Sequence, residues 1–174
     1  MRVIGGEFRS RLLKSLPGLD VRPTPDRLRE SLFNILAPRI EGRIFADVYA
    51  GTGAVGIEAI SRGARKAIFV ESNRAAADVI RENLRSLDAM ARAELRVSRA
   101  NIALPQIEAD IVFIDPPYRL DAEYQRSLET LAARTPELVI VQHSSKLELK
   151  ESYGALNRSR FLKQGDNALS FYEP

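Results

Sequence analysis

Asp47-Val48-Tyr49-Ala50-Gly51-Thr52-Gly53-Ala54-Val55-Gly56 lies where an apolar run beginning at Ile44 gives way to an amphipathic stretch. Its glycines match G-x-G-x-x-G at 51, 53 and 56. At a strand-to-helix turn such glycines let the backbone approach a ligand closely, at the carboxyl edge of a parallel sheet. Glu71 closes the next apolar run 20 residues after Gly51. A carboxylate in that place can take both hydroxyls of an adenosine ribose. The pattern suits NAD and S-adenosylmethionine alike, because both present that ribose to the same strand end. A glycine turn with only a structural role is the bland alternative.

Outward from this turn, short apolar runs alternate with amphipathic stretches, the signature of strand–helix repeats. Strands are predicted at 44–49, 67–71, 93–97, 110–115 and 138–142. The continuous runs Ile111-Val112-Phe113-Ile114 and Leu138-Val139-Ile140-Val141 suit strands covered on both faces. One helix follows Gly53 and stops near Arg62-Gly63. A second starts after Asn73, an N-cap residue, with Ala77, Ile80, Leu84 and Leu87 on one stripe. A third covers 121–133. Segments 161–163 and 168–172, joined through Gly165-Asp166-Asn167, read as an antiparallel hairpin on the sheet edge. The expected class is therefore α/β and Rossmann-like, with a mostly parallel sheet, a C-terminal antiparallel hairpin and a small N-terminal extension.

That extension, residues 1–43, is read apart from the main domain, 44–174. Gly5-Gly6 and Pro17-Gly18 mark turns of a small hairpin. Thr24 is read as the N-cap and Pro25 as the first residue of a helix that buries Leu28, Leu32, Ile35 and Leu36 and ends at Pro38. The extension holds nine Arg or Lys against five Asp or Glu, whereas the remainder holds 17 against 18. All of the net +3 charge thus comes from the first quarter, pointing to an anionic partner. Arg2, Arg9, Arg11, Arg22, Arg27 and Arg29 are the candidate contacts, with a solvated basic surface as the alternative.

Composition bounds the rest. With no cysteine and a single histidine, His143, neither disulfides nor a metal site are expected. No apolar run reaches the length of about 20 residues that a membrane span requires, and the N-terminus lacks a signal-peptide core. The expectation is a soluble, cytoplasmic monomer without membrane contact.

Asp115-Pro116-Pro117-Tyr118 follows the fourth strand directly, on the same sheet edge as the glycine turn. Prolines end ladder bonding and hold the chain extended. Asp115 can accept from an amine N–H and the Pro116 carbonyl from a second, turning the nitrogen lone pair toward an incoming methyl group. Tyr118 offers a face for an extruded base, worth about 1–3 kcal/mol in comparable stacks. This peptide, the position of Asp47 beside a methionine amino group, and the C-terminal hairpin favour S-adenosylmethionine over NAD. Cofactor contacts are assigned to Asp47, Ala50, Gly51, Thr52, Gly53, Glu71 and Ser72. A DNA or protein amine methyltransferase, or a nucleotide-binding domain without methyl transfer, are the rival readings.

The chain resembles the bacterial RsmD family over nearly its whole length. The resemblance rests on Arg2-Val3-Ile4-Gly5-Gly6 with Arg9 and Arg11, and on Arg22 through Asn34 (RPTPDRLRESLFN). It also rests on Asp47 through Gly53 and on Asp115 through Tyr118. It implies methylation of a guanine N2 amine in 16S rRNA, free or within an assembling small subunit, with rRNA contacts from the N-terminal segment. It also implies Glu71 on the cofactor ribose and Asp115–Tyr118 around the guanine amine. One position departs from the family pattern. Where relatives carry Asp-Ala or Asn-Ala, this chain has Arg99-Ala100, followed by Asn101. Arginine has only donors and cannot accept from an adenine amine, so the resemblance implies a cofactor contact from the Ala100 backbone, with Asn101, recruited by a one-residue loop shift, as the alternative.

Overall fold

A computed structural model describes residues 1–18, 24–117 and 120–174. Its centre is one eight-stranded sheet in the order β3-β2-β1-β4-β5-β8-β7-β6. The parallel part comprises β1 (Ile44–Val48), β2 (Lys66–Glu71), β3 (Ala93–Val97), β4 (Ile111–Ile114) and β5 (Leu138–Ser144). All four residues of β4 are buried, because helices cover both faces of the sheet and leave no side for polar residues.

Strand order reverses between β1 and β4, so the crevice outside their carboxyl ends is where this architecture holds a ligand. Register brings the candidate residues there. Val48 is paired with Val70 on one side and Ile114 on the other, so the residues that follow, Tyr49, Glu71 and Asp115, share one edge.

The expected hairpin is present as β7 (Leu156–Gln164) and β8 (Asn167–Glu173), with β8 antiparallel to β5. β7 begins earlier than its sequence suggests. Asn157, Arg158, Ser159 and Arg160 have no apolar alternation; pairing of Asn157, Arg158 and Arg160 with β8, across a register shift at Ser159, holds the segment in the ladder. The two-residue β6 (Ser152–Tyr153) is too short to leave a periodic signal.

Helices α2 (Ala54–Ser61), α3 (Arg74–Ser86), the single-turn α4 (Ala100–Ala103) and α5 (Asp121–Arg134) follow β1 to β4 in turn. Asn73 caps α3 as expected, accepting from Ala76 N at 3.0 Å. Helix α1 (Asp26–Leu36) begins one residue later than predicted: Pro25 occupies the cap position with no side-chain cap bond. Among the described residues no helix is long and apolar enough to cross a membrane.

The N-terminal segment is not a separately cored unit. Among the described residues its hairpin reduces to one bridge, Arg2 with Leu12. Val3, Phe8 and Leu13 are packed into a core with Ile57, Ile60, Phe69, Ile80 and Leu84. Leu28, Leu32 and Phe33 of α1 join Phe45, Phe113 and Ile140 in another.

Gly56 sets the distance between α2 and β2. A Cβ added there would lie 2.3 Å from Cε1 of Phe69, too close for any unshifted ring. Gly56→Ala is expected to lower stability by about 1–3 kcal/mol, the usual range for overpacking. Chemical denaturation of the single variant, Phe69→Leu and the double variant checks this. The substitutions should be strongly non-additive, because shortening Phe69 makes room for the methyl group; plain additivity would contradict the packing argument.

Candidate functional site

Two cavities occupy the carboxyl edge of the sheet and meet at Tyr49. The first, about 300 Å³, is bounded by Asp47, Tyr49, Ala50, Gly51, Thr52 and Asp115, with Met1, Ser15, Leu16 and Thr24 supplied by the N-terminal segment. The second, about 380 Å³, is bounded by Tyr49, Glu71, Ser72, Ser98, Arg99, Ala100, Asn101 and Pro117. Every residue assigned to the cofactor, apart from Gly53, therefore borders one of them.

Gly53 shapes the turn instead. It has φ +85°, a left-handed conformation that glycine adopts without steric penalty. Gly51 is also left-handed, at φ +57°. Glu71 holds the turn from the next strand, accepting from Gly51 N at 2.7 Å with Oε2 and from Asn73 N at 2.8 Å with Oε1. A carboxylate offers about four acceptor positions, so acceptor capacity remains for a ribose.

Asp47 is buried at 2% exposure, with Oδ2 accepting from Gly56 N at 2.8 Å. Burial, opposed by that bond and reinforced by Glu71, pushes its pKa up to about 7. Burial first, then the charge of Asp47, raises Asp115 well above the carboxylate range. Two carboxylates in one poorly solvated cavity favour a cationic guest. The Pro116 carbonyl departs from expectation in part. It is buried and accepts from the Tyr124 hydroxyl at 3.1 Å, leaving one lone pair for any amine. Tyr118 lies outside the described residues.

Tyr49 stands between the two cavities, a position that no local sequence pattern reveals. Tyr49 is a non-glycine residue at φ +67°, a conformation that clusters at functional sites. Its hydroxyl bonds Glu123 at 3.0 Å and lies 3.2 Å from Ser127 Oγ. Burial is the main cause that pushes its pKa up to about 12. The cavity wall made by Met1, Ser15 and Leu16 was equally illegible, since no local pattern links them to residue 47. His143, expected just beyond β5, lies within it and is buried, with Nε2 2.9 Å from Ser170 Oγ.

The basic candidates divide. Arg2, Arg9, Arg11 and Arg27 are exposed, with Arg11 Nη2 donating to Ser86 O at 2.7 Å. Arg22 lies outside the described residues. Arg29 is a correction: its side chain is 0% exposed and cannot reach an external partner. Nη2 donates to Arg2 O at 2.6 Å and to Asp26 at 3.1 Å, and Nε lies 3.9 Å from Glu58 Oε2. Desolvation lowers its pKa despite these carboxylates. Glu58, also buried, accepts from the backbone of Ile4 and Gly5, each at 2.8 Å, and from Arg62 at 2.8 Å. Arg29 and Glu58 are thus the internal fastening of the N-terminal segment.

A parallel half-sheet reversing between β1 and β4, a terminal antiparallel hairpin and an Asp-Pro-Pro peptide facing a glycine turn define a Rossmann-like methyltransferase. Comparisons with known proteins narrow this class. The family model described as Conserved hypothetical protein 95 matches residues 1–173. The Bacillus subtilis protein YlbH is 33% identical over 183 aligned residues, covering 99% of this chain and 98% of that protein. Ribosomal RNA small subunit methyltransferase D of Escherichia coli is 42% identical over 123 residues, 68% of this chain and 61% of that protein. The solved structure of Escherichia coli yhhF superposes with a TM-score of 0.85 at 35% identity, covering 99% of this chain and 96% of that one. The chain belongs to this family, the RsmD methyltransferases.

Proposed function

We propose that the protein transfers a methyl group from S-adenosylmethionine to the exocyclic N2 amine of a guanine in 16S rRNA, acting as a cytoplasmic monomer. The observation that carries the reading is Asp115 in the same cavity as Asp47 and the glycine turn. The cavities suit this cofactor. Asp47 is a buried carboxylate for an ammonium group, Glu71 keeps acceptor capacity for a ribose, and Ser72 and Ala100 border the space left for adenine. Arg99 supplies no acceptor for the adenine amine, whereas exposed Asn101 borders the same space.

When bound, the cofactor supplies an electrophilic methyl group. The chain's own residues then have two tasks. Asp115 accepts a hydrogen bond from the guanine amine, directing its lone pair, and with its raised proton affinity takes the proton that the amine loses. Alignment supplies most of the rate, because the methyl donor is already activated. Pro116 and Pro117 hold Asp115 at the strand end, Tyr118 stacks on the base, and Arg2, Arg9, Arg11, Arg22 and Arg27 face RNA phosphates.

Cofactor affinity should rise with pH. Asp47 and Asp115 hold protons more tightly than ordinary carboxylates in the free protein, and a cationic guest favours their ionised forms. Binding therefore releases protons, and Kd falls by up to about tenfold per pH unit for each proton released, from pH 5.5 toward 8. Calorimetry in buffers of different ionisation enthalpy measures the release. A pH-independent Kd with no proton release would contradict the electrostatics. Tritiated-methyl transfer onto 16S rRNA from a strain lacking the protein, with nucleoside analysis, tests the function. N2-methylguanosine is expected; label in another nucleoside, or none with NAD binding instead, refutes it.

A further inference from the structure

Beside the second cavity, and sharing Ser72, Ser98 and Arg99 with it, lies a separate open groove of about 570 Å³. Arg74, Arg81 and Arg99 line it, with Asp78 as its acidic member. Arg74 and Arg81 are two turns apart on α3 and share a face, while Arg99 reaches the groove from the end of β3. Asp78 is placed to pair with either helical arginine, yet it pairs with Arg81, at 2.5 Å. Among the described residues, the guanidinium groups of Arg74 and Arg99 have no hydrogen bond or ion pair. Nearby Glu71 forms no ion pair with them; its carboxylate oxygens accept from Gly51 N and Asn73 N.

We infer that this groove is a phosphate-binding site that holds a phosphodiester of the RNA substrate away from the methylated nucleotide. The two arginine forks match phosphate oxygens in geometry, and the Ser72 hydroxyl adds a donor, that of Ser98 being given to Arg99 O at 3.2 Å. Three arginines against one aspartate leave the groove strongly positive. Arg74 and Arg99 are exposed, so the groove is accessible to an extended polyanion. A phosphate carried on the cofactor ribose is disfavoured, because Glu71 stands at that place with a negative charge. Arg99 thus has a role where an adenine contact was expected and its chemistry forbids one.

This assignment rests on the RNA-methyltransferase reading, and the test separates the two. Affinity for a 16S rRNA transcript is measured across a salt series for the wild-type protein, for Arg74→Gln/Arg99→Gln, and for Arg65→Gln/Arg160→Gln. The last pair removes the same charge from exposed arginines outside the groove. The groove variant should bind more weakly, with a log–log salt slope smaller by about 1.4–1.8, the counterion release of two phosphate contacts. The control slope should stay that of the wild type, and all three proteins should bind S-adenosylmethionine equally in calorimetry. A groove variant matching the control overturns the inference. Weakened cofactor binding with an unchanged RNA slope also overturns it, assigning the arginines to the adenosine end. A wild-type protein that binds the cofactor but no RNA refutes the functional reading itself, and this site with it.

Discussion

Asp115→Ala is expected to reduce methyl transfer at least about 100-fold while leaving S-adenosylmethionine affinity within about tenfold of wild type. Asp115 is the side chain in the first cavity that can accept from an amine at the end of β4. Without it, nothing directs the nitrogen lone pair, and a misdirected nucleophile loses rate far out of proportion to its displacement. The cofactor keeps Asp47, the glycine turn and Glu71, none of which depends on residue 115 for position. Asp47 and Glu71 are held by Gly56 N and by Gly51 N and Asn73 N. Single-turnover transfer with a calorimetric Kd separates the two effects. Full activity in Asp115→Ala would show that the amine is held elsewhere. A loss seen wholly in cofactor binding would move Asp115 from the substrate to the cofactor.

The second large effect concerns the fold. Glu58→Ala should destabilise the protein by about 3–5 kcal/mol, the usual consequence of stripping one member from a buried ion pair. The substitution leaves Arg29 charged at 0% exposure and removes the acceptor of Ile4 N, Gly5 N and Arg62 Nε. For a domain of this size the midpoint of thermal unfolding should fall by about 10 °C. Adding Arg29→Met to Glu58→Ala should recover part of the loss, because it removes the uncompensated charge. A single-variant loss below about 1 kcal/mol, or no recovery in the double variant, would deny Arg29 and Glu58 this role. Limited proteolysis supplies a local readout: cleavage within the first 17 residues should quicken in Glu58→Ala before the sheet unfolds. Since Met1, Ser15 and Leu16 wall the first cavity, cofactor affinity should weaken with it.

Much of the fold follows from local pattern. The five parallel strands appear within one or two residues of their predicted positions, because the inner strands, covered on both faces, are apolar runs, and the edge strand β3 alternates apolar with charged residues. The elements that escaped were those lacking such a signature: β6, and the first half of β7, which is polar and kept in the sheet by its neighbour β8. Among site residues, the glycine turn, Glu71 and Asp115 were legible because each sits at the end of a recognisable strand. Their side-chain partners were not, since Gly56 N for Asp47 and Tyr124 for Pro116 depend on how helices settle on the sheet.

The sequence alone determined the order of the strands' chemistry: a glycine turn, an acidic strand end and an Asp-Pro-Pro peptide, each encoded within a few residues. Tertiary structure decided which side of a boundary each ambiguous residue took. Arg29 stands next to Leu28 at the margin of an amphipathic stripe, where helical phase permits either solvent or core. Glu58, 29 residues further along the chain and buried in α2, supplies the countercharge that draws it inward. No local periodicity carries that information, because the free energy of burying a charge depends on a partner that only the folded chain brings near.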